Sequence, residues 1–441
     1  MVNVKINNLA VQVEAGTTIL EAARKLGINI PTLCYMNMEN AGCENAPGSC
    51  RVCMVELEGR PNLAPACVTT VWEGMNVLTN TPRAINTRRT VVELFLSNHP
   101  KDCLVCDRNK NCELQTLAAD MGIRESKYEG KMARHEKDTS SLSLVRDPEK
   151  CVLCRRCETM CNDIQTVGVY SAVHRSLETV VSTAFNEPVA DSTCTFCGQC
   201  VSVCPTGALI QANNTADVWK VLSDPTKTVV VQTAPAIRVA LGEEFGDAPG
   251  TIATGKMISG LRRLGFSKVY DTNFAADLTV MEEAHELLHR MQNGGRLPML
   301  TSCCPAWVKF IEHQFPTLLD VPSTCKSPGE MFGIIAKTYL AKQLNVEPAN
   351  MVVVSIMPCL AKKYESAREE MGRNVDYVLT TRELASMFRE AGLNYHALPD
   401  EEFDPVMGES TGAGTIFGTT GGVIEATVRT MAFLASGQNP P

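Results

Sequence analysis

Thr301-Ser-Cys-Cys-Pro-Ala-Trp307 sets two adjacent thiols behind the short apolar run Leu297–Leu300 and ahead of a helical pattern over 306–314. A strand that ends where a helix begins is where open α/β sheets bind ligands. Neighbouring cysteines bridge to each other poorly, which leaves buried hydrophobe or functional thiol as the readings of Cys303 and Cys304. Met357-Pro358-Cys359, directly after the run Met351–Ile356, repeats the arrangement and favours function. Around these motifs the runs 228–232, 268–271, 297–300, 351–356 and 376–379 are each followed by helical periodicity. That pattern predicts an α/β domain over 225–441 with a largely parallel sheet. Its unusual residues sit in the loops after strands, including Thr233-Ala-Pro-Ala236 and Asp271-Thr-Asn-Phe274. The glycine-rich stretch 412–422 reads as a loop entering a helix over 423–435. No phosphate-binding glycine motif follows any strand, so a nucleotide or flavin site within this chain is not expected.

Sixteen of the twenty cysteines lie upstream of this domain, and their spacing separates three modules. Residues 2–6 and 9–13 read as a hairpin turned by Asn7-Asn8, and Thr18-Ile-Leu-Glu21 is a capping box that opens a helix ending at Gly27. Hairpin, helix and cysteine-rich loop over 1–80 follow the order of a β-grasp ferredoxin. Cys34, Cys50, Cys53 and Cys67, the last after a strand over 52–58, suit a [2Fe–2S] centre better than a zinc ribbon, which wants two C-x2-C knuckles. Cys43 is a bystander in that loop. Over 81–140 an amphipathic helix, 84–98, with Val91, Val92, Leu94 and Phe95 on its apolar side, delivers His99, Cys103, Cys106 and Cys112. By spacing alone a Cys3His zinc site competes; the neighbouring modules favour iron–sulfur. Over 141–215, Cys151, Cys154, Cys157 and Cys161 form C-x2-C-x2-C-x3-C, and Cys194, Cys197, Cys200 and Cys204 repeat it. In two-cluster ferredoxins the fourth cysteine of each run serves the other cluster. Cys204 therefore joins Cys151, Cys154 and Cys157, and Cys161 joins Cys194, Cys197 and Cys200. The expected upstream cofactors are one [2Fe–2S] and three [4Fe–4S] clusters in series.

A chain of 441 residues with 44% hydrophobic and 20% charged residues suits about three to four globular domains. A net charge of −8 without basic runs argues against nucleic acid, and no apolar stretch reaches the ~20 residues of a membrane span. The first residues alternate like a strand and carry no signal-peptide pattern. Twenty cysteines without disulfide logic suit a reducing compartment, and a cytoplasmic chain is expected.

With the four cluster motifs, Thr301–Trp307 and Met357-Pro-Cys-Leu-Ala-Lys-Lys-Tyr-Glu365 in hand, the chain resembles the catalytic subunit of the [FeFe]-hydrogenases over nearly its whole length. Its N-terminal modules also resemble the large iron–sulfur subunit of respiratory NADH dehydrogenases, a family without the Cys303-Cys304 domain. The resemblance implies an α/β domain joined to α+β modules and an H-cluster, a [4Fe–4S] cubane linked to a two-iron centre with CO, cyanide and a bridging dithiolate amine. Cys304 and Cys359 match two cubane ligands, and Cys303 matches the thiol that exchanges protons with the bridging amine. Glu283, Ser323 and Glu286 match the rest of the proton relay; unaided, their pattern suggests a solvated helix face. Lys362 matches the lysine that holds a cyanide, and Ala234, Pro235, Ala236 and Met357 match the lining of the two-iron pocket. The implied activity is reversible H2 oxidation, with electrons passing to ferredoxin or to a flavin- and NAD(P)-binding partner in a hetero-oligomer.

The chain departs from the family pattern twice. Gly329 and Glu330 stand where glutamines usually follow Lys-Ser-Pro. The family's last motif, a C-x3-C supplying two more cubane ligands, is expected after the helix 423–435, whereas this sequence stops at Pro441. The expectation is a protein continuing by on the order of one further domain. Cys325 is expected as a buried free thiol. The competing expectation is a shortened hydrogenase-like electron-transfer or redox-sensing subunit without a complete H-cluster; an iron–sulfur assembly protein fits the N-terminal modules poorly.

Overall fold

The protein is described from a computed structural model covering residues 1–38, 43–45, 48–130 and 132–439; the side chain of Cys43, and with it that residue's reading as a bystander, lies outside the described residues. Two compact units emerge, one of residues 1–194 and 198–211, the other of 195–197 and 212–441.

In the first unit, Val2–Ile6 and Leu9–Val13 pair antiparallel. Asn7 and Asn8 both adopt positive φ, 51° and 68°, as a tight hairpin turn requires. Asn76–Leu78 joins parallel to the first strand, and Met54–Leu57 and Ala64–Pro65 complete a five-stranded sheet. The helix Ile19–Lys25 starts on the expected capping box, with Thr18 and Glu21 satisfying each other's backbone amides. It buries Ile19, Leu20, Ala22 and Ala23 in a core with Val4, Ile6, Val55 and Val77. The next helix runs Pro82–Ser97, starting two residues earlier than expected, because Thr81 caps it and Pro82 fits its first turn. Val92 is buried there, but Leu94 is 49% exposed, a correction to the apolar face drawn from sequence. A second core joins Leu33, Cys34, Cys50 and Val52 to Val92, Leu114 and Leu117 and to Val152 and Cys154, so three cysteine-rich segments share one apolar interior. Two short ribbons follow, Leu144–Arg146 with Leu209–Gln211 and Ser171–Val173 with Val180–Ser182.

The second unit is built on four parallel strands in the order Lys268–Asp271, Thr228–Thr233, Met351–Ile356, Tyr377–Leu379. Met351–Ile356 is buried throughout, as a parallel strand covered on both faces must be. The expected strand at 297–300 does not form. Pro298 has no N–H to give a ladder, and Leu300 makes a single bridge to Pro322 away from the sheet. The stretch 412–422 is also not simply a loop: Gly412–Phe417 is helical. Thr411 caps it, and Asp277 accepts from the amides of Thr411 and Gly414. The helices Thr272–Asn293 and Gly422–Ser436 pack together beside the sheet.

Candidate functional site

Strand order reverses at Thr228–Thr233: the chain goes next to one side, to Lys268–Asp271, and later to the other, to Met351–Ile356. The crevice beyond the C-terminal ends of these strands is the topological switch point, where such sheets bind ligands. Ala234 and Met357 lie there side by side, the Ala234 amide donating to Ile356 O at 3.0 Å and the Met357 amide to Leu379 O at 2.8 Å. Ala234 and Met357 are buried, Pro235 half-buried and Ala236 exposed. Beneath them Gln232 is fully buried and donates to Gly329 O (2.8 Å) and Ser355 Oγ (2.7 Å) while accepting from Thr272 Oγ1 (3.0 Å). The glycine at 329 fits this packing, since a Cβ there would stand 3.2 Å from Met357 Cε. Glu330, the other departure, is 2% exposed with Oε2 lacking a partner among the described residues, and burial, reinforced by Glu365, pushes its pKa up to about 7.

Cys304 caps the helix Pro305–Gln314, and Cys359 precedes the helix Ala361–Ala367. Cys303, Cys304, Cys359 and Lys362 lie close enough to act on one another electrostatically. Burial raises the Cys359 thiol, and the amides of Ala361 and Lys362, aimed at its sulfur, temper the shift. Lys362 Nζ donates to Cys303 O at 2.9 Å and to Glu365 Oε2 at 2.7 Å. Burial works against its charge, but Glu365 and the two thiols outweigh it and its pKa is raised. Cys303 is pushed up to about 11 by burial, so it holds its proton at neutral pH.

Glu283 is wholly buried, not on a solvated face. It accepts from Thr427 Oγ1 at 3.3 Å, and desolvation lifts its pKa to about 7, tempered by Thr427, the Ser302 amide and Ser323. One turn on, Glu286 accepts from Ser323 Oγ (2.8 Å), the Thr324 amide (3.0 Å) and Arg290 (2.5 Å). Desolvation opposes its charge, yet Ser323 and Arg290 hold its pKa below the usual value. The local pairing of Leu300 with 321–323 sets Ser323 here, its amide donating to Leu300 O at 2.6 Å. Cys303 and Glu283 thus lie close enough to interact electrostatically, and Ser323 lies between Glu283 and Glu286 in hydrogen-bonding terms, acting on both. Cys325 is half-buried, a correction to the buried thiol expected, with Sγ 3.7 Å from Glu286 Oε2. Sequence reasoning missed Arg290, Gln232, Thr427 and Glu365. Only Arg290 left a signal, its i+4 spacing from Glu286.

In the first unit, Cys34, Cys50, Cys53 and Cys67 are buried together, Cys53 and Cys67 with sulfurs 3.3 Å apart. Sulfur-to-sulfur hydrogen bonds from Cys50 and Cys67 hold Cys34 far below the usual thiol range, and Cys67 brings Cys53 down to about 7. Among the described residues no three His, Cys, Asp or Glu side chains surround a point for a single metal ion. Cys151, Cys154, Cys157 and Cys204 line one cavity with Tyr170. Burial pushes Cys151 up to about 11 and Cys154 to about 12, so their thiolates need a cation's charge. Of the other run, Cys161, Cys194 and Cys200 belong to the first unit and Cys197 to the second. His99 Nδ1 is buried without a partner among the described residues, and burial, with Lys150 second, lowers its pKa. A neutral imidazole with an orphaned nitrogen fits a metal. Cys103 is exposed, and Cys106 and Cys112 are half-buried.

Comparison with known proteins finds four matches along the chain. Residues 1–82 match a 2Fe-2S iron-sulfur cluster binding domain, and 88–127 the NADH-ubiquinone oxidoreductase-G iron-sulfur binding region. Residues 188–210 match a 4Fe-4S binding domain, and 227–441 the iron only hydrogenase large subunit, C-terminal domain. The NADP-reducing hydrogenase subunit HndD of Solidesulfovibrio fructosivorans is 56% identical over 99% of this chain and 77% of its own length. Iron hydrogenase 1 of Clostridium pasteurianum is 39% identical over 97% of this chain and 75% of its own. Among solved structures, the apo [FeFe]-hydrogenase of Chlamydomonas reinhardtii is 46% identical over 52% of this chain, with a TM-score of 0.47; the match spans 60% of that chain, under two thirds of its length. With a relative 56% identical along essentially its whole length, the chain belongs to the iron-only hydrogenase family.

Proposed function

We propose that this chain catalyses reversible H2 oxidation in its second unit and conducts the electrons through its first. The observation that carries the proposal is the group Cys303, Glu283, Ser323, Glu286, which includes a wholly buried carboxyl whose pKa is about 7. A buried acid poised near neutrality both accepts and releases protons at low cost. Bound at Cys304 and Cys359, an H-cluster supplies the Lewis-acidic iron and adjacent base that split H2. Cys303, protonated at neutral pH, hands a proton on to Glu283, and Ser323 relays it to Glu286, which Arg290 holds in place. Lys362 spends two of its three N–H donors on Cys303 O and Glu365, which leaves one for an anionic ligand such as cyanide. Buried Ala234 and Met357 form an apolar wall that keeps water away, with Pro235 and Ala236 at its more exposed edge.

The same proposal assigns a [2Fe–2S] centre to Cys34, Cys50, Cys53 and Cys67 and a [4Fe–4S] centre to His99, Cys103, Cys106 and Cys112. Two further [4Fe–4S] centres fall to Cys151, Cys154, Cys157 and Cys204 and to Cys161, Cys194, Cys197 and Cys200. The module boundaries 1–80, 81–140, 141–215 and 225–441 are part of this reading. So is a flavin- and NAD(P)-binding partner subunit, since a hydrogenase relative is named as NADP-reducing and no phosphate-binding loop follows a strand here. A reducing, cytoplasmic setting suits so many thiolate ligands; among the described residues no helix is long and apolar enough to cross a membrane.

Infrared spectroscopy of the matured protein tests the central claim: bands of bound CO and cyanide are expected, and their absence overturns it. Cys303→Ser should keep iron content near normal and nearly abolish H2 turnover, because a hydroxyl is a far weaker acid than a thiol.

A further inference from the structure

Between the group His99, Cys103, Cys106, Cys112 and the cavity of Cys151, Cys154, Cys157, Cys204 the backbone comes unusually close at one residue. A Cβ on Gly207 would stand 2.8 Å from Cys106 Sγ and 3.2 Å from Lys150 Cδ. Gly207 follows Cys204 by three residues and Lys150 precedes Cys151, so both belong to segments that supply ligands to the second group. Thr206 Oγ1 donates to Lys150 O at 2.7 Å, and Arg108 donates to the Cys204 and Thr206 carbonyls, which ties the segments together. The Lys150 side chain is only 12% exposed. Its ammonium lies 3.4 Å from Asp147 and 4.0 Å from Asp102, and it acts electrostatically on both Cys106 and His99. A half-buried lysine has a larger field effect on neighbouring groups than a fully exposed one.

We propose that Lys150 and Gly207 form the electron junction between these two centres, Gly207 by permitting contact and Lys150 as a positioning charge that raises the reduction potential of the His99 centre. The inference rests on the cluster assignments proposed above. With clusters bound, Cys151, Cys154, Cys157 and Cys204 would hold the one-electron donor, oxidised by one, and His99, Cys103, Cys106 and Cys112 the acceptor, reduced by one. No bond or proton moves. The reduced centre carries one more negative charge, so a fixed cation beside it favours reduction, while Asp147 and Asp102 offset part of that field.

The test is EPR-monitored redox titration of the full, cluster-loaded chain, which reads each centre without recourse to H2 turnover. Lys150→Gln should make the His99 centre harder to reduce by at least tenfold in its reduced-to-oxidised ratio, about 59 mV for one electron. The [2Fe–2S] centre should not move, and Lys150→Arg should restore the original value. Asp102→Asn, a surface change that spares folding, should shift the same centre the opposite way. Gly207→Ala should weaken the magnetic interaction between the two reduced centres. An unchanged potential in Lys150→Gln and Asp102→Asn, with iron content intact, overturns the proposal. Absence of a fourth cluster signal in the unmodified chain instead overturns the ligand assignment on which it rests.

Discussion

Single residues here carry unusual electrostatic demands, and two buried acids make those demands measurable. Glu283 and Glu330 both have pKa values raised to about 7 by burial. A native carboxyl with a raised pKa keeps its proton where the unfolded chain, near 4.5, has lost it. Stability therefore falls as pH rises from about 4.5 to about 7, and the penalty stays constant above that. Glu330→Gln should raise the melting temperature at pH 8 more than at pH 5, by a stability difference of at most about 3 kcal/mol. Equal shifts at both pH values would show that its burial is not what the structure depicts. Glu283→Gln should show the same stability trend while cutting H2 turnover by two orders of magnitude or more. Loss of turnover without the pH-dependent stability gain would assign the effect to misfolding instead. Cys304→Ala should lose the two-iron signals and keep those of the upstream clusters, read by metal count and EPR.

At the scale of elements, the second unit is held by close helix packing and one buried ion pair. A Cβ on Gly260 would stand only 2.1 Å from Phe388 Cζ, because the helix Thr254–Leu264 lies directly on Thr381–Glu390. Gly260→Ala should cost about 1–3 kcal/mol by overpacking, despite the better helix propensity of alanine; thermal unfolding of the variant measures it. Lys363 and Glu383 are 2% and 1% exposed with 2.7 Å between charges. Lys363 also donates to Ala212 O and Asn214 Oδ1, and Glu383 accepts from the amides of Asn214 and Thr380. Lys363→Met strands a buried carboxylate and should destabilise by about 3–5 kcal/mol. Replacing both partners with apolar residues should recover part of that loss, and a double-mutant cycle in denaturant reads the difference.

For the whole molecule, the cysteine groups make stability depend on iron. Cys34, Cys50 and Cys154 sit inside a shared apolar core, so removing clusters leaves ionisable thiols facing hydrophobic neighbours. Anaerobic chelation should lower the melting temperature of the first unit by more than that of the second, followed by differential scanning calorimetry with and without iron. Purification from the native cell should bring a flavin-containing subunit with this chain. Isolation of this chain alone, at physiological ionic strength, would count against a hetero-oligomer.

Local rules were enough for much of this. The hairpin at Asn7-Asn8, the capping box at Thr18 and the four surviving strand runs follow from short-range sterics and hydrophobic periodicity, which act along the chain. The cysteine spacings likewise put Cys151, Cys154, Cys157 and Cys204 forward as one group, and the four line one cavity. What the sequence could not supply was whatever depends on partners distant in the chain. Residues 297–300 have a strand's composition, but their pairing was decided by 321–323, and that pairing is what sets Ser323 beside Glu286. Glu283 has a surface residue's spelling, and tertiary packing on Thr272–Asn293, that of Gly422–Ser436 included, buries it and lifts its pKa. Hydrophobic pattern specifies which elements form; desolvation, which sets the chemistry of a carboxyl or thiol, is a property of the folded surroundings and exists only once the distant segments have met.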